Sequence, residues 1–393
     1  MIDITKKSYL KYLLFGSLYF SEGLVMAIAF VIIPVYFVER DISMTITTLT
    51  IGIISIPVTI KFIWGGIVDF FIRFGRKPFI IIGELLLAGG LFALTFIDPK
   101  TGLIPFTIFF FISVCGVGFL DVSSDALAIE ITQKHERGKV NGAMFAGQYA
   151  GMAVGSFVLT LIADLFGYNI SLLGTAIIVL VILLFPFMIK EYKIIKTYQN
   201  VIKIIVGELR KRSVQLIEIF ALIFDINKGM LLVIFPLYMK ISLQLDIAQI
   251  GLIVSLFPIT AAIGSIIAGT IADTWTRKKT IYFFVGASIV LSASLIFAVN
   301  WQLLAVLYAI IGFLQGGYIT AGCAFFMDVT NPGAGATQFS IFLGLANTGM
   351  TGGETVSGTL ISAVGFTRTF LYSAWIFGPA LLLFYFIKEV KRN

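Results

Sequence analysis

The chain has 393 residues, 59% apolar and only 12% charged, with a formal net charge of +7 and a mean hydropathy of +1.01. A soluble domain carries about twice that charged fraction, so the composition excludes an ordinary soluble protein and indicates an integral membrane chain. The pI near 9.2 does not indicate a nucleic-acid partner, because the basic residues lie between apolar runs rather than on one face.

Apolar runs, read against charges and Gly/Pro breaks, predict helical spans at 12–38, 47–68, 78–97, 104–131, 138–163 and 170–189. Six more follow at 214–239, 247–272, 280–299, 302–327, 335–364 and 369–387. Stretches of about 20 apolar residues are helices, whereas barrel strands alternate with period two. The first span follows Lys6, Lys7 and Lys11, is too long for a signal-peptide core and lacks a small-residue cleavage site. It is expected to stay as a helix. Cys115 and Cys323 fall in apolar spans without metal-ligand spacing, and no disulfide is expected.

Between the two sets of spans, residues 190–213 hold seven basic residues and two acidic ones. Ile194, Tyr198, Ile202, Ile205 and Leu209 recur there at steps of three and four, as in an amphipathic helix on an anionic membrane surface. A solvated tether is the alternative. The expected domains are a six-helix half over 1–189, this linker over 190–213, and a second half over 214–393. With the N-terminus inside, the inner segments carry twenty-two Lys and Arg. Only Arg40, Lys100, Lys240 and Arg368 lie on the other side. The positive-inside rule then puts both termini and the linker in the cytoplasm.

One phrase occurs twice. Gly65-Gly66-Ile67-Val68-Asp69, closed by Arg73-Phe74-Gly75-Arg76-Lys77, returns as Gly269-Thr270-Ile271-Ala272-Asp273, closed by Arg277-Lys278-Lys279. Duplicated halves, each with a charged hinge between its second and third spans, are the layout of alternating-access transporters. Gly65, Asp69, Arg73, Gly75, Arg76, Asp273 and Arg277 are therefore the candidate gating residues.

Ionisable groups inside a bilayer are costly and mark pathways or ion pairs. Here they are Glu22, Lys61, Asp121, Asp125, Asp225, Lys228 and Glu354, while Glu84 and Glu130 are expected close enough to the interface to be solvated. At about 1.5 Å of rise per residue, Glu22, Lys61, Asp121 and Asp125 share a depth roughly 10–16 Å from the inner ends of their spans. Asp121 and Asp125 are four residues apart and stack on one helix face. Two such carboxylates cannot both ionise cheaply in a low dielectric, so at least one is expected to hold a proton, with Lys61 pairing the other. Five mid-membrane acids against two lysines leave an excess for protons, a metal cation or a cationic solute to balance. An ion-pair cluster that merely pins the helices is the competing account. His135 is in a loop, so a proton path has to use carboxylates. Asp225 and Lys228 can pair along one face, and Glu354 has no obvious local partner.

Gly147, Gly151 and Gly155 form small-residue steps for close helix contact. Asn141 and Gln148 form a polar stripe beside them, with Gln148 the one expected in a cavity. Gly344, Gly349, Gly352, Gly353 and Gly358 should make the eleventh span bendable.

The duplicated hinge and twelve-span layout resemble the major facilitator superfamily along the whole chain, although Thr276 stands where the second copy should have glycine. Three extra residues in the first hinge, with Lys61-Phe62-Ile63-Trp64 before it, resemble the peptide/acetyl-CoA/drug branch, which includes AmpG-type muropeptide permeases and acetyl-CoA transporters. Asp121-Val122-Ser123-Ser124-Asp125-Ala126, Glu136-Arg137-Gly138, Ala336-Thr337-Gln338-Phe339 and Gly147-Gln148-Tyr149-Ala150-Gly151-Met152 are similar to that branch too. Met152 replaces the proline of the antiporter motif, which counts against drug/proton antiport. Nothing after Asn393 is expected to narrow the substrate.

The resemblance implies an all-α fold of two pseudo-symmetric six-helix bundles. It implies a monomeric secondary transporter in the cytoplasmic membrane, importing a sizeable polar or anionic solute such as a muropeptide, CoA thioester or siderophore together with protons. Glu22, Lys61, Asp121, Asp125, Gln148, Asp225, Lys228 and Glu354 are the candidate coupling and substrate residues. Proton-driven efflux and a non-transporting receptor are the alternatives. No Ser/His/Asp set, metal cluster or phosphate loop supports an enzyme, and no cofactor is expected.

Overall fold

The computed structural model describes residues 7–42, 44–190, 201–245, 247–298 and 300–387. Its helices, in chain order, are α1 (Ser8–Ala27), α2 (Ile33–Glu39), α3 (Met44–Thr59), α4 (Lys61–Phe70), α5 (Lys77–Leu94), α6 (Leu103–Ile131), α7 (Arg137–Val154), α8 (Thr160–Phe166) and α9 (Tyr168–Met188). They continue as α10 (Val201–Leu209), α11 (Arg212–Phe224), α12 (Ile226–Ile241), α13 (Ile247–Thr274), α14 (Arg277–Ser294), α15 (Trp301–Val329), α16 (Gly335–Trp375) and α17 (Phe377–Phe386). No strand occurs among the described residues. A chain this apolar must satisfy its backbone polar groups internally, and helices do so within each segment.

Ten helical stretches among the described residues are long and apolar enough to cross a bilayer. Two predicted spans, 214–239 and 335–364, are not among them. Span 214–239 is split into α11 and α12, of 13 and 16 residues, by a non-helical Asp225 (φ −103°, ψ 5°). Span 335–364 lies in α16, whose 41 residues are two helices merged across Gly365 (φ 79°, ψ 170°). The break therefore falls beyond the glycine cluster expected to bend this span. Gly349 and Gly353 instead serve close packing against Leu222 and Ile226.

Contacts divide the chain into two compact units. The first comprises Met1–Thr132, Ala143–Val201 and Pro332–Ser340; the second comprises Gln133–Gly142, Ile202–Asn331 and Ile341–Asn393. Each thus includes a short segment from the other half of the sequence.

In the first unit, α1 runs through a π turn at Ile28–Ile32 and α7 through another at Gly155–Leu159, and the two turns pack together. The expected small-residue seam joins these helices: Gly147, Gly151 and Gly155 face Gly16, Phe20 and Ala27. Pro332–Ser340 belongs here because Ala336 joins Val68, Phe79, Val122 and Ala126 in a buried apolar cluster. Gly65 permits this approach, since a Cβ there would lie 2.7 Å from the Ala336 carbonyl oxygen.

In the second unit, α13 and α15 pack closely, and Gly138 and Gly142 at the start of α7 lie against Gly269 and Ser265 of α13. Of the linker, 191–200, with Lys193, Ile194, Lys196 and Tyr198, lies outside the described residues. Residues 201–209 form α10, where Ile202 is 80% exposed. Glu208 anchors that helix by accepting bonds from Lys211 and Asn331, both at 2.7 Å.

Candidate functional site

The site in the first unit begins with a broken helix. Pro57 lacks an N–H and weakens the last turn of α3. Ile60 leaves helical geometry (φ −93°, ψ 27°), and α4 restarts at Lys61. The Trp64 indole donates to the Pro57 carbonyl oxygen at 2.8 Å, satisfying an acceptor at the break. Gly118 of α6 makes room for that indole. Lys61, directly after the break, is buried and reaches Asp121 of α6 at 2.6 Å.

Around this pair the structure gathers the other expected residues of the first unit. The Tyr19 hydroxyl lies 2.5 Å from Asp125 Oδ1 and 3.3 Å from Asp121 Oδ1. Gln148 Nε2 donates to Glu22 Oε2 at 3.0 Å, while Glu22 Oε1 has no hydrogen-bond partner among the described residues. Glu22, Lys61, Asp121 and Asp125 are close enough to act on one another electrostatically. Three carboxyls, an ammonium, a phenol and an amide thus form one buried polar site on α1, α4, α6 and α7. The polar stripe of Asn141 and Gln148 separates: Asn141 bonds the Arg137 carbonyl and the Met327 sulfur within the second unit.

Tyr19 was not legible as a site residue in the sequence, although its position three residues before Glu22 puts both on one face of α1. Glu84 corrects an expectation. It is not solvated but fully buried, accepting the Ser21 hydroxyl at 3.1 Å, with its other oxygen unpartnered among the described residues. Because α5 starts at Lys77, Glu84 lies about 10 Å along it, under α1.

In the second unit, Asp225 sits at the α11–α12 break, buried, with Oδ1 unpartnered among the described residues. Lys228 acts electrostatically on both Asp225 and Glu354. Glu354 therefore finds its opposite charge on another helix. Asn227, also missed in the sequence, donates to the Ser373 carbonyl at 2.7 Å and accepts from Gln315 at 3.4 Å.

The two hinges are built alike. In the first unit, Arg76 bridges Asp69 at 2.8 Å and Glu130 at 2.8 Å. Asp69 Oδ2 accepts from the Thr337 N–H and hydroxyl, each at 2.8 Å. In the second, Arg277 bridges Asp273 at 2.6 Å and Asp328 at 3.1 Å. Asp273 accepts from the Gly138 and Lys139 N–H groups at 2.9 and 2.7 Å. Each hinge aspartate thus caps the first turn of a long helix, α16 or α7, where free N–H groups and the helix dipole favour an anion.

Glu130, expected in solvent, is the second acid on Arg76, and Asp328 has the matching place beside Arg277. A second acid near the C-terminal ends of α6 and α15 was the available signal. Burial disfavours the charge of Arg76, but Glu130 and Asp69 outweigh it and hold the guanidinium above its ordinary value. Arg73 stands outside this arrangement, exposed, with its guanidinium 4.7 Å from the Phe74 ring.

Gly75 closes the first hinge at φ 81°, ψ −176°, a region nearly restricted to glycine and costing other residues about 1–3 kcal/mol. Gly75→Ala should therefore lower the apparent melting temperature in detergent. Melting like the parent protein would mean that this backbone conformation is not maintained.

Among the described residues no group of three or more His, Cys, Asp or Glu could hold a metal ion. The arrangement can bind and exchange protons and can make or break charge contacts at the hinges.

Residues 15–213 and 217–393 match the Major Facilitator Superfamily, and the chain belongs to that family of membrane transporters. Its fold is accordingly twelve transmembrane helices in two six-helix bundles. The Escherichia coli fucose:proton symporter FucP superposes with a TM-score of 0.77 at 14% identity, over 96% of this chain and 98% of that one. The human organic anion transporter MFSD10 (TETRAN) gives 0.74 at 12% identity, over 95% and 98%. The proton:xylose symporter XylE gives 0.69 at 18%, over 99% and 96%. In sequence, 118 residues, 30% of this chain, are 29% identical to the multidrug resistance protein MdtH of Yersinia pestis (strain Pestoides F). That match spans 27% of the relative's length.

Proposed function

We propose that this protein is a proton-coupled secondary transporter that imports a sizeable polar or anionic solute by alternating access. The observation that carries the reading is the buried Lys61–Asp121 pair with Asp125, Tyr19, Glu22 and Gln148 around it. A site with more carboxyls than cations, and no metal-ligand group among the described residues, is one that protons can balance at least cost. Asp225, Lys228 and Glu354 are the counterpart set in the second half. The resemblance of Lys61-Phe62-Ile63-Trp64 to the peptide/acetyl-CoA/drug branch favours a muropeptide, CoA thioester or siderophore as cargo.

Efflux by proton antiport is the second reading, favoured by the likeness to MdtH. Purified protein in vesicles with an imposed pH gradient separates the two. Import predicts solute accumulation on the alkaline side, and efflux predicts depletion from it.

In this reading the protein is a monomer of the cytoplasmic membrane, with two halves, 1–189 and 214–393, joined by a cytoplasmic linker at 190–213. Cysteines introduced at Lys203 and Lys100, in a background lacking Cys115 and Cys323, should react from opposite faces. Labelling of both from one face would end this topology.

The hinges are the inner gate, where contacts made in one state break in the other. Asp69→Asn keeps the shape but weakens the bonds to Arg76 and Thr337. It should lower turnover at least about ten-fold and leave the affinity for a bound muropeptide or CoA thioester within about two-fold, since a charge-assisted bond is worth about 1.5–3 kcal/mol. Lost affinity with intact turnover would remove Asp69 from the gate.

A further inference from the structure

The Tyr19 side chain touches both members of the aspartate pair, through a single hydroxyl at 2.5 Å from Asp125 and 3.3 Å from Asp121. It is buried, and its ring is fixed edge-on to Phe145 with centroids 5.8 Å apart. The charged and titratable groups that act on it are Asp125, Asp121 and, one turn along its own helix, Glu22. Beyond them Lys61 of α4 holds Asp121 through Oδ2, and Gln148 of α7 holds Glu22. The two aspartates are therefore differently placed: Asp121 bonds the Lys61 ammonium, whereas Asp125 meets the phenol and the Asp121 carboxyl itself.

We propose that Tyr19 is a proton relay between Asp121 and Asp125. This rests on the proton-coupled reading above and adds to it a residue and a step. A phenol can accept a proton on its oxygen while giving up the one it carries. With Asp121 protonated and Asp125 ionised, the Asp121 O–H bond breaks as a new O–H bond forms on Tyr19. The original Tyr19 O–H bond breaks as an O–H bond forms on Asp125. One proton has moved, Tyr19 ends neutral as it began, and the negative charge has passed from Asp125 to Asp121, beside Lys61. The reverse passage frees Lys61 from its pair. Through the hydroxyl, the protonation of Asp125 is thus tied to the engagement of Lys61 without a water in the step.

The test needs no knowledge of the cargo, because the proton itself is the probe. Full-length protein in lipid bilayers is given a rapid pH step, and the infrared carbonyl band of protonated carboxyls is followed in time. Asp121→Asn and Asp125→Asn assign the band. Tyr19→Phe keeps the ring and its contact with Phe145 but removes the hydroxyl. It should reach the parent's final spectrum at least about a hundred-fold more slowly, the low end of what a positioned acid–base group contributes. A parent-like rate overturns the relay and leaves the coupling site standing. A changed final spectrum also overturns it, since the hydroxyl would then be setting which carboxyl is protonated. If neither aspartate variant removes any of the band, the proton-coupled reading fails and the relay with it.

Discussion

Replacing Lys61 with alanine should cost the protein most of its folded yield. Lys61 and Asp121 are paired at 2.6 Å with side chains only 7% and 10% exposed, so removing the ammonium leaves a carboxylate in a low dielectric beside Asp125 and Glu22. Breaking a buried pair on one side typically costs about 3–5 kcal/mol, a large share of the stability of most domains. Lys61→Ala combined with Asp121→Asn removes both charges and should recover most of the loss. The pair would then behave as coupled in a double-mutant cycle. The measurement is the monodisperse fraction and apparent melting temperature of the two variants against the parent protein. Equal damage in the single and double variants would mean that Lys61 matters for packing, not for charge. A Lys61→Ala protein as stable as the parent would remove the pair from the account.

The second large effect is on coupling. Asp125→Asn keeps the size and the bond to Tyr19 but can no longer take up a proton. This variant should still exchange labelled solute across a membrane at equal concentrations. It should fail to concentrate that solute in response to a pH gradient. Glu22→Gln is expected to act in the same direction, because Glu22 has one oxygen held by Gln148 and one without a partner among the described residues. Exchange and accumulation lost together would point to a folding defect. Accumulation retained by Asp121→Asn, Asp125→Asn and Glu22→Gln alike would move the coupling site to Asp225 or Glu354.

The helical layout was legible because burying about 20 apolar residues leaves a strong, local mark in sequence. The duplicated hinge was legible because it recurs. The breaks were not: the interruptions at Ile60 and Asp225 occur inside apolar runs, where Pro57 and a single acid are weak signals against the surrounding hydropathy. That Glu22, Lys61, Asp121 and Asp125 could share a level was readable from helical rise, whereas their mutual contacts needed the packing of α1, α4 and α6.

What sequence reasoning missed shares one cause. Tyr19 counts as an apolar-compatible aromatic, Glu84 and Glu130 lie near the ends of predicted spans, and Asp328 is one acid at a helix end. Each acquires its role from a partner far along the chain. The same holds for Asp69 with Thr337, and for Asp273 with Gly138 and Lys139. Such pairs carry no local pattern, since a helix N-terminus accepts an anion from any direction its free N–H groups face.

The central claim is that solute movement is tied to protons through the Lys61–Asp121–Asp125 site. The most direct measurement is proton flux into vesicles containing the purified protein, reported by an internal pH dye. A muropeptide, a CoA thioester and a siderophore would each be supplied in turn as an inward concentration gradient. The account predicts that one of these solutes acidifies the interior of vesicles holding the parent protein, and that Asp125→Asn admits the same solute without acidification. Solute uptake by the parent protein with no change in internal pH would contradict it.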